Sequence, residues 1–138
     1  MKVTTKYKYP KTGTRNNRLY PAEVLKKAFD KPLFKELCVN KSIPVVEYEH
    51  NELIGFATAY LEDDNVTTVD ASIFNPTYIN ILKEFKDVKD NIGFTLAGSG
   101  YTEKRDGMTV ITDMTFDRAI LFVNDLAVDC QTKFYMED

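Results

Sequence analysis

Residues 53–74 read LIGFATAYLEDDNVTTVDASIF, and the fold turns on this stretch. Residues 53–61 and 66–74 are runs of β-branched, aromatic and small apolar residues, separated by Glu62-Asp63-Asp64-Asn65. Turn-forming residues between two β-rich runs predict a hairpin. In the second run Val69, Ala71 and Ile73 alternate with Thr68, Asp70 and Ser72. Such alternation gives a strand with one buried face and one wet face.

On the C-terminal side, Asn75-Pro76 is a good N-cap and N1 pair. It opens a predicted helix to about Lys86, with Ile79, Leu82 and Phe85 as its apolar stripe and Ile81 beside them. Residues 92–103 and 108–123 form a second predicted hairpin around Lys104-Arg105-Asp106-Gly107, and residues 126–135 a last strand. On the N-terminal side, a strand is expected over 42–48 and a short helical turn over 32–38. Pro21 suits the first position of a helix whose apolar face is Val24, Leu25, Ala28 and Phe29. Residues 10–17 form a loop, and residues 2–9 (KVTTKYKY) alternate lysine with β-branched or aromatic residues, which reads as an edge-like strand. The fold class that results is α+β: a mostly antiparallel, barrel-like sheet of about seven strands with two or three helices. Short hairpin-linked strands must hide their edges, so the sheet is expected to be closed or half-closed.

The 138 residues fit a single domain, 1–138, with 43% hydrophobic and 28% charged residues. A formal net charge of −3 argues against nucleic acid as the main partner, since phosphate binding needs a clustered positive field. Lys2, Lys6, Lys8, Lys11, Arg15 and Arg18 form local basic clusters, read as a solvated strand face and loop. Cys38 and Cys130 are too few and too far apart for a zinc site or a disulfide framework; a single disulfide is open to them, but free buried thiols are expected in a reducing cytoplasm. No stretch has the apolar length of a signal peptide or membrane helix, so a soluble cytoplasmic protein is expected. No glycine-rich phosphate loop precedes a helix, and Asp63-Asp64 lies in a solvated turn. One histidine and no cysteine pair leave transition metals without ligands; no metal or cofactor is expected. The aromatics Tyr7, Tyr9, Phe134 and Tyr135 near the termini are candidate contact residues, or else sheet stabilisers.

Three segments carry a resemblance. Thr14-Arg15-Asn16-Asn17-Arg18-Leu19-Tyr20-Pro21 precedes a helix beginning Ala22-Glu23-Val24-Leu25. Glu47-Tyr48-Glu49-His50 precedes Ile54-Gly55-Phe56 and the acidic turn Glu62-Asp63-Asp64. Asn91-Ile92-Gly93-Phe94-Thr95-Leu96-Ala97-Gly98-Ser99-Gly100 precedes Asp106-Gly107 and the strand 109–123. In this order and spacing, from about residue 12 to 128, the chain resembles the prohead (capsid maturation) proteases of tailed phages. The resemblance implies the herpesvirus assemblin fold, with a serine nucleophile, a histidine base and a third residue that orients the histidine.

Carried onto this chain, the resemblance makes His50 the base and Thr95 the match to the serine position, with Ser99 four residues on as a second hydroxyl. A threonine methyl restricts χ1 and crowds the attacking oxygen. The orienting acid is left unassigned: the strand reads Ile120-Leu121-Phe122 where one branch of the family has an acid, while Asp113, Asp117, Glu47 and Glu49 lie nearby in sequence. The preferred expectation is a phage head-assembly protein that has lost catalysis and serves as a capsid-associated auxiliary or decoration component of the virion. Its partners would be the major capsid or scaffold protein, within a larger assembly or homo-oligomer, first in the host cytoplasm and then in the virion head. The alternatives are an active Ser/Thr-type maturation protease cutting scaffold or capsid protein, and a small intracellular α+β binding domain.

Overall fold

Burial follows the two-residue period of the strands. In the computed structural model, which describes residues 1–9, 17–84, 92–123 and 131–137, the order of elements is β1 (Lys2–Lys8), β2 (Arg18–Leu19), α1 (Ala22–Asp30), α2 (Pro32–Val39), β3 (Ile43–Glu47), β4 (Leu53–Leu61), a 3₁₀ turn (Asp63–Asn65), β5 (Thr67–Ile73), α3 (Pro76–Glu84), β6 (Ile92–Arg105), β7 (Met108–Val123) and β8 (Gln131–Glu137). All eight strands join one sheet in the order β2-β7-β3-β4-β5-β1-β8, with β6 on the other side of β7. The sheet curls until β6 touches β8. Tyr7 spans the interior and accepts the Leu96 backbone N–H at 3.1 Å, giving a buried donor on β6 a partner.

The inward residues form one cluster. Val3 and Tyr7 from β1, Ile43 and Val45 from β3, Val69, Ala71 and Ile73 from β5, and Phe94 and Leu96 from β6 are all buried in it. Helices α1 and α2 add Leu25, Ala28 and Phe34, and α3 adds Tyr78 and Leu82. Phe29, Phe34 and Phe116 interlock with ring centroids 5.3 to 5.8 Å apart, fixing both N-terminal helices to β7. Lys31, between those helices, donates to Asp113 at 3.1 Å and to Thr115 at 2.8 Å. Among the described residues no helix is long and apolar enough to cross a membrane.

The class is α+β with a curled sheet and, among the described residues, three α-helices, but the sheet is mixed. β2 and β3 both run parallel to β7, pairing Arg18 with Thr109 and Val45 with Ala119. Parallel neighbours need a long crossover. Everything from β4 to β6 supplies it for β3, and hairpin logic reads only local partners. The lysine-rich β1 is also no edge, since it pairs β5 on one side and β8 on the other. Its lysines lie on the wet face, where Lys6 meets Glu62 at 3.1 Å and Lys8 meets Asp64 at 2.6 Å. Tyr7 is core, and Tyr9 stacks on Tyr20 with centroids 3.9 Å apart, which favours the sheet-stabilising reading of the two. α3 begins at Pro76 as expected and is described to Glu84, and β8 covers Gln131–Glu137 where a strand over 126–135 was expected, residues 126–130 lying outside the described residues. Phe85, Lys86, Asn91, Cys130, and residues 10–16 with Lys11, Thr14, Arg15 and Asn16, lie outside the described residues, as do the side chains of Phe134 and Tyr135. Cys38 is free and partly buried.

Candidate functional site

Along β3, Ile43, Val45 and Glu47 face inward. The alternation that buries two aliphatic side chains therefore carries a carboxylate to the end of the curled sheet, where Glu47 is 7% exposed. A buried carboxylate must be hydrogen-bonded, and the next residues turn back to do so. Glu47 Oε1 accepts the Glu49 N–H at 2.8 Å; Oε2 accepts the His50 N–H at 2.7 Å and lies 2.9 Å from the His50 Nδ1. The turn closes with the Asn51 N–H on the Glu47 carbonyl at 2.9 Å and the Glu47 N–H on the Glu52 carbonyl at 2.9 Å. Asn51 takes a φ of 53°, a left-handed conformation that asparagine tolerates.

From α3, the Tyr78 hydroxyl lies 3.4 Å from Glu47 Oε2 and 3.2 Å from Glu52 Oε2. Asn75 donates to the other oxygen of Glu52 at 3.2 Å. One hydroxyl proton between two carboxylates is strongly retained. Burial, the Glu47 charge and the bond to Glu52 push the Tyr78 pKa up to about 12. Burial also pushes the Glu47 carboxyl up. The two backbone N–H donors and the His50 ring outweigh it, and the net shift is below the ordinary value.

In the tautomer that carries its proton on Nδ1, the His50 ring donates to the Glu47 carboxylate through that nitrogen. The His50 side chain is 69% exposed. Glu47 and His50 thus form a hydrogen-bonded carboxylate–imidazole pair. Of the carboxylates near in sequence, Asp113 is engaged by Lys31 and Asp117 by Arg118 at 2.7 Å. Glu47 is the residue that holds the ring. The signal available in the sequence was a charge at an inward strand position three residues before the only histidine.

Both hydroxyls belong to β6. Across the sheet, Glu47 pairs with Leu121 and Leu121 with Phe94, a row whose three side chains are all buried. Thr95 is the next residue on β6, so alternation sends it to the outer face, in a row with Ile120, Val46 and Leu53. Ser99 lies opposite Thr115, beyond a bulge at Ala97/Gly98. It sits four residues, roughly 13 Å, further from the Glu47 end. Among the described residues no hydrogen bond joins the His50 ring to Thr95 or Ser99. Glu47, Glu49 and His50 also bring one possible ligand atom each within 4.8 Å of one another. Both Glu47 oxygens already accept N–H groups, which suits a carboxylate clip better than a metal cradle.

The clip has a stability signature. Because the Glu47 pKa is depressed by folding, its contribution is full above the ordinary value of 4.5 and is lost as pH falls through the lower folded value. Glu47→Gln is expected to cost about 1–3 kcal/mol at pH 7. The gap to the unsubstituted protein should narrow as pH drops below about 4.5 in urea titrations. A gap that is the same at neutral and acid pH would show that no charge is held there.

Comparison of the chain with family models, with curated proteins and with solved structures returns no match.

Proposed function

We propose that this chain is a phage head-assembly protein of prohead-protease-like, assemblin-like descent. In this reading it acts without catalysis, as a capsid-associated auxiliary or decoration component of the virion. The collinear segments from Thr14 to Gly107 support the lineage. The observation that carries the loss of catalysis is the position of Thr95. A hydroxyl attacks an amide only with a base in hydrogen-bond reach, and Thr95 shares a row with Ile120 and Val46 on the face opposite the Glu47 carboxylate. The chain would be made in the host cytoplasm and retained in the head on the major capsid or scaffold protein.

The test is mass spectrometry of purified mature heads. Intact chain, in fixed ratio to the capsid protein, is the expected result. Heads that lack it, or hold only its fragments, would remove the assembly role. The Glu47–His50 pair favours a second reading, an active prohead endopeptidase using Thr95 or Ser99, because a buried carboxylate that orients a histidine is what such a site requires.

A further inference from the structure

β4 outruns one of its neighbours. It pairs β5 from Gly55 to Leu61, but β3 pairs it only as far as Ala57. Backbone N–H and C=O groups of successive residues point to opposite sides of an antiparallel strand. On the β5 side, the Ile54 carbonyl accepts the Phe74 N–H at 3.0 Å, and the Glu62 N–H reaches the Val66 carbonyl at 2.7 Å. Thr58 and Tyr60 share that parity and face β5. Ala57, Ala59 and Leu61 therefore face the other way. Ala57 meets Ile43 there. The end of α2 takes the next step: the Cys38 sulfur accepts the Ala59 N–H, and the Cys38 carbonyl accepts the Thr58 hydroxyl at 2.7 Å. Beyond it, the N–H and C=O of Leu61 meet no strand and no side chain among the described residues.

Leu61 lines a groove of about 470 Å³ between this edge and the two N-terminal helices. Its apolar walls include Phe29 and Val39, the latter 81% exposed. Lys26, Asp30 and Lys35 line it as well. Lys35 pairs with Asp30 at 3.6 Å, whereas Lys26 has no ion-pair partner among the described residues. The groove thus combines apolar walls, an open strand edge and one uncompensated positive charge.

Each of these selects a feature of the occupant. An open donor and acceptor on one strand residue are a template for another strand, which exchanges both bonds with it. Apolar walls take the side chain that such a strand turns inward. A free lysine beside them favours carboxylates at the flanking positions. We propose that the groove binds an extended segment of another protein, an apolar residue flanked by acidic ones, as a strand added to β4 at Leu61. The site does not depend on the virion role and would stand even if the chain were absent from heads.

Amide hydrogen exchange of the full chain tests the open edge first. The Leu61 amide should exchange much faster than that of Tyr60, whose N–H is bonded to β5. Equal protection of the two in dilute protein would overturn the proposal. Protection of Leu61 that grows with protein concentration would give the groove to a second copy, and would overturn it too. The peptide acetyl-Asp-Thr-Val-Thr-Asp-amide, added to about 5 mM to reach a weak millimolar contact, should then slow the Leu61 amide severalfold. The same peptide methylated on its valine nitrogen cannot donate to the Leu61 carbonyl and should bind at least about tenfold more weakly. A counterpart with lysines at both ends should also lose about tenfold, as should the acidic peptide on Lys26→Glu. Leu33→Glu, at an exposed position of α2 outside the groove, should change nothing. No slowing of Leu61 by the acidic peptide, or equal binding of its methylated form, would overturn strand addition. Equal binding of the acidic and basic peptides would overturn the acidic class of partner.

Discussion

Replacing Gly98 with alanine is expected to destabilise the protein by about 3 kcal/mol, the upper end for an overpacked site. Gly98 lies where β6 shifts register against β7, opposite Phe116. A Cβ there would lie inside the contact distance of the Thr115 carbonyl oxygen, 2.8 Å from its carbon and 3.0 Å from the Phe116 Cα. All three atoms are backbone, so no side chain can swing away. The strand itself must move, and Phe116 carries the aromatic cluster that holds α1 and α2. Urea unfolding should show the midpoint falling by roughly 1.5 M, for a slope near 2 kcal/mol/M. Gly107 is the comparison. It has a φ of +79° and open space around it, so Gly107→Ala should cost only about 1 kcal/mol of backbone strain. Equal losses at the two glycines would mean that β6 and β7 are not this close.

Phe34→Ala should be costlier still, about 3–5 kcal/mol. Phe34 is 1% exposed and meets both Phe29 and Phe116. Truncation leaves a cavity between two helices and a strand. Against a total stability of roughly 5–15 kcal/mol, the loss removes a large share. The neighbouring Leu33 is 76% exposed. Leu33→Ala should stay within about 0.5 kcal/mol. A mild effect at Phe34, read by thermal or urea unfolding, would detach α2 from the core.

Much of the architecture was legible because it is local. The hairpin at 53–74 follows from strand alternation around a four-residue polar turn. Asn75 caps α3 as its side chain suggests, its Oδ1 accepting the Thr77 N–H at 3.1 Å. Two features were not legible, and both are non-local. The parallel pairing of β3 with β7 joins residues more than seventy positions apart. The interior place of β1 was hidden because lysine alternation describes a wet face equally well for an edge strand and a central one. At the site, periodicity was informative in principle. The step that puts Ile43 and Val45 inward also puts Glu47 inward, and it separates Phe94 from Thr95. What sequence could not supply was the row: only the register of β3, β7 and β6 shows that Glu47 shares a level with Phe94 while Thr95 faces away.

The proposal of lost catalysis rests on Glu47, which holds His50, and Thr95 lying on opposite faces of the sheet. Its most direct test is to incubate the purified chain with capsid and scaffold precursors and follow cleavage by electrophoresis, beside the His50→Ala variant. Identical, uncut precursors are expected in both. Cutting by the unsubstituted protein that disappears in His50→Ala would contradict it.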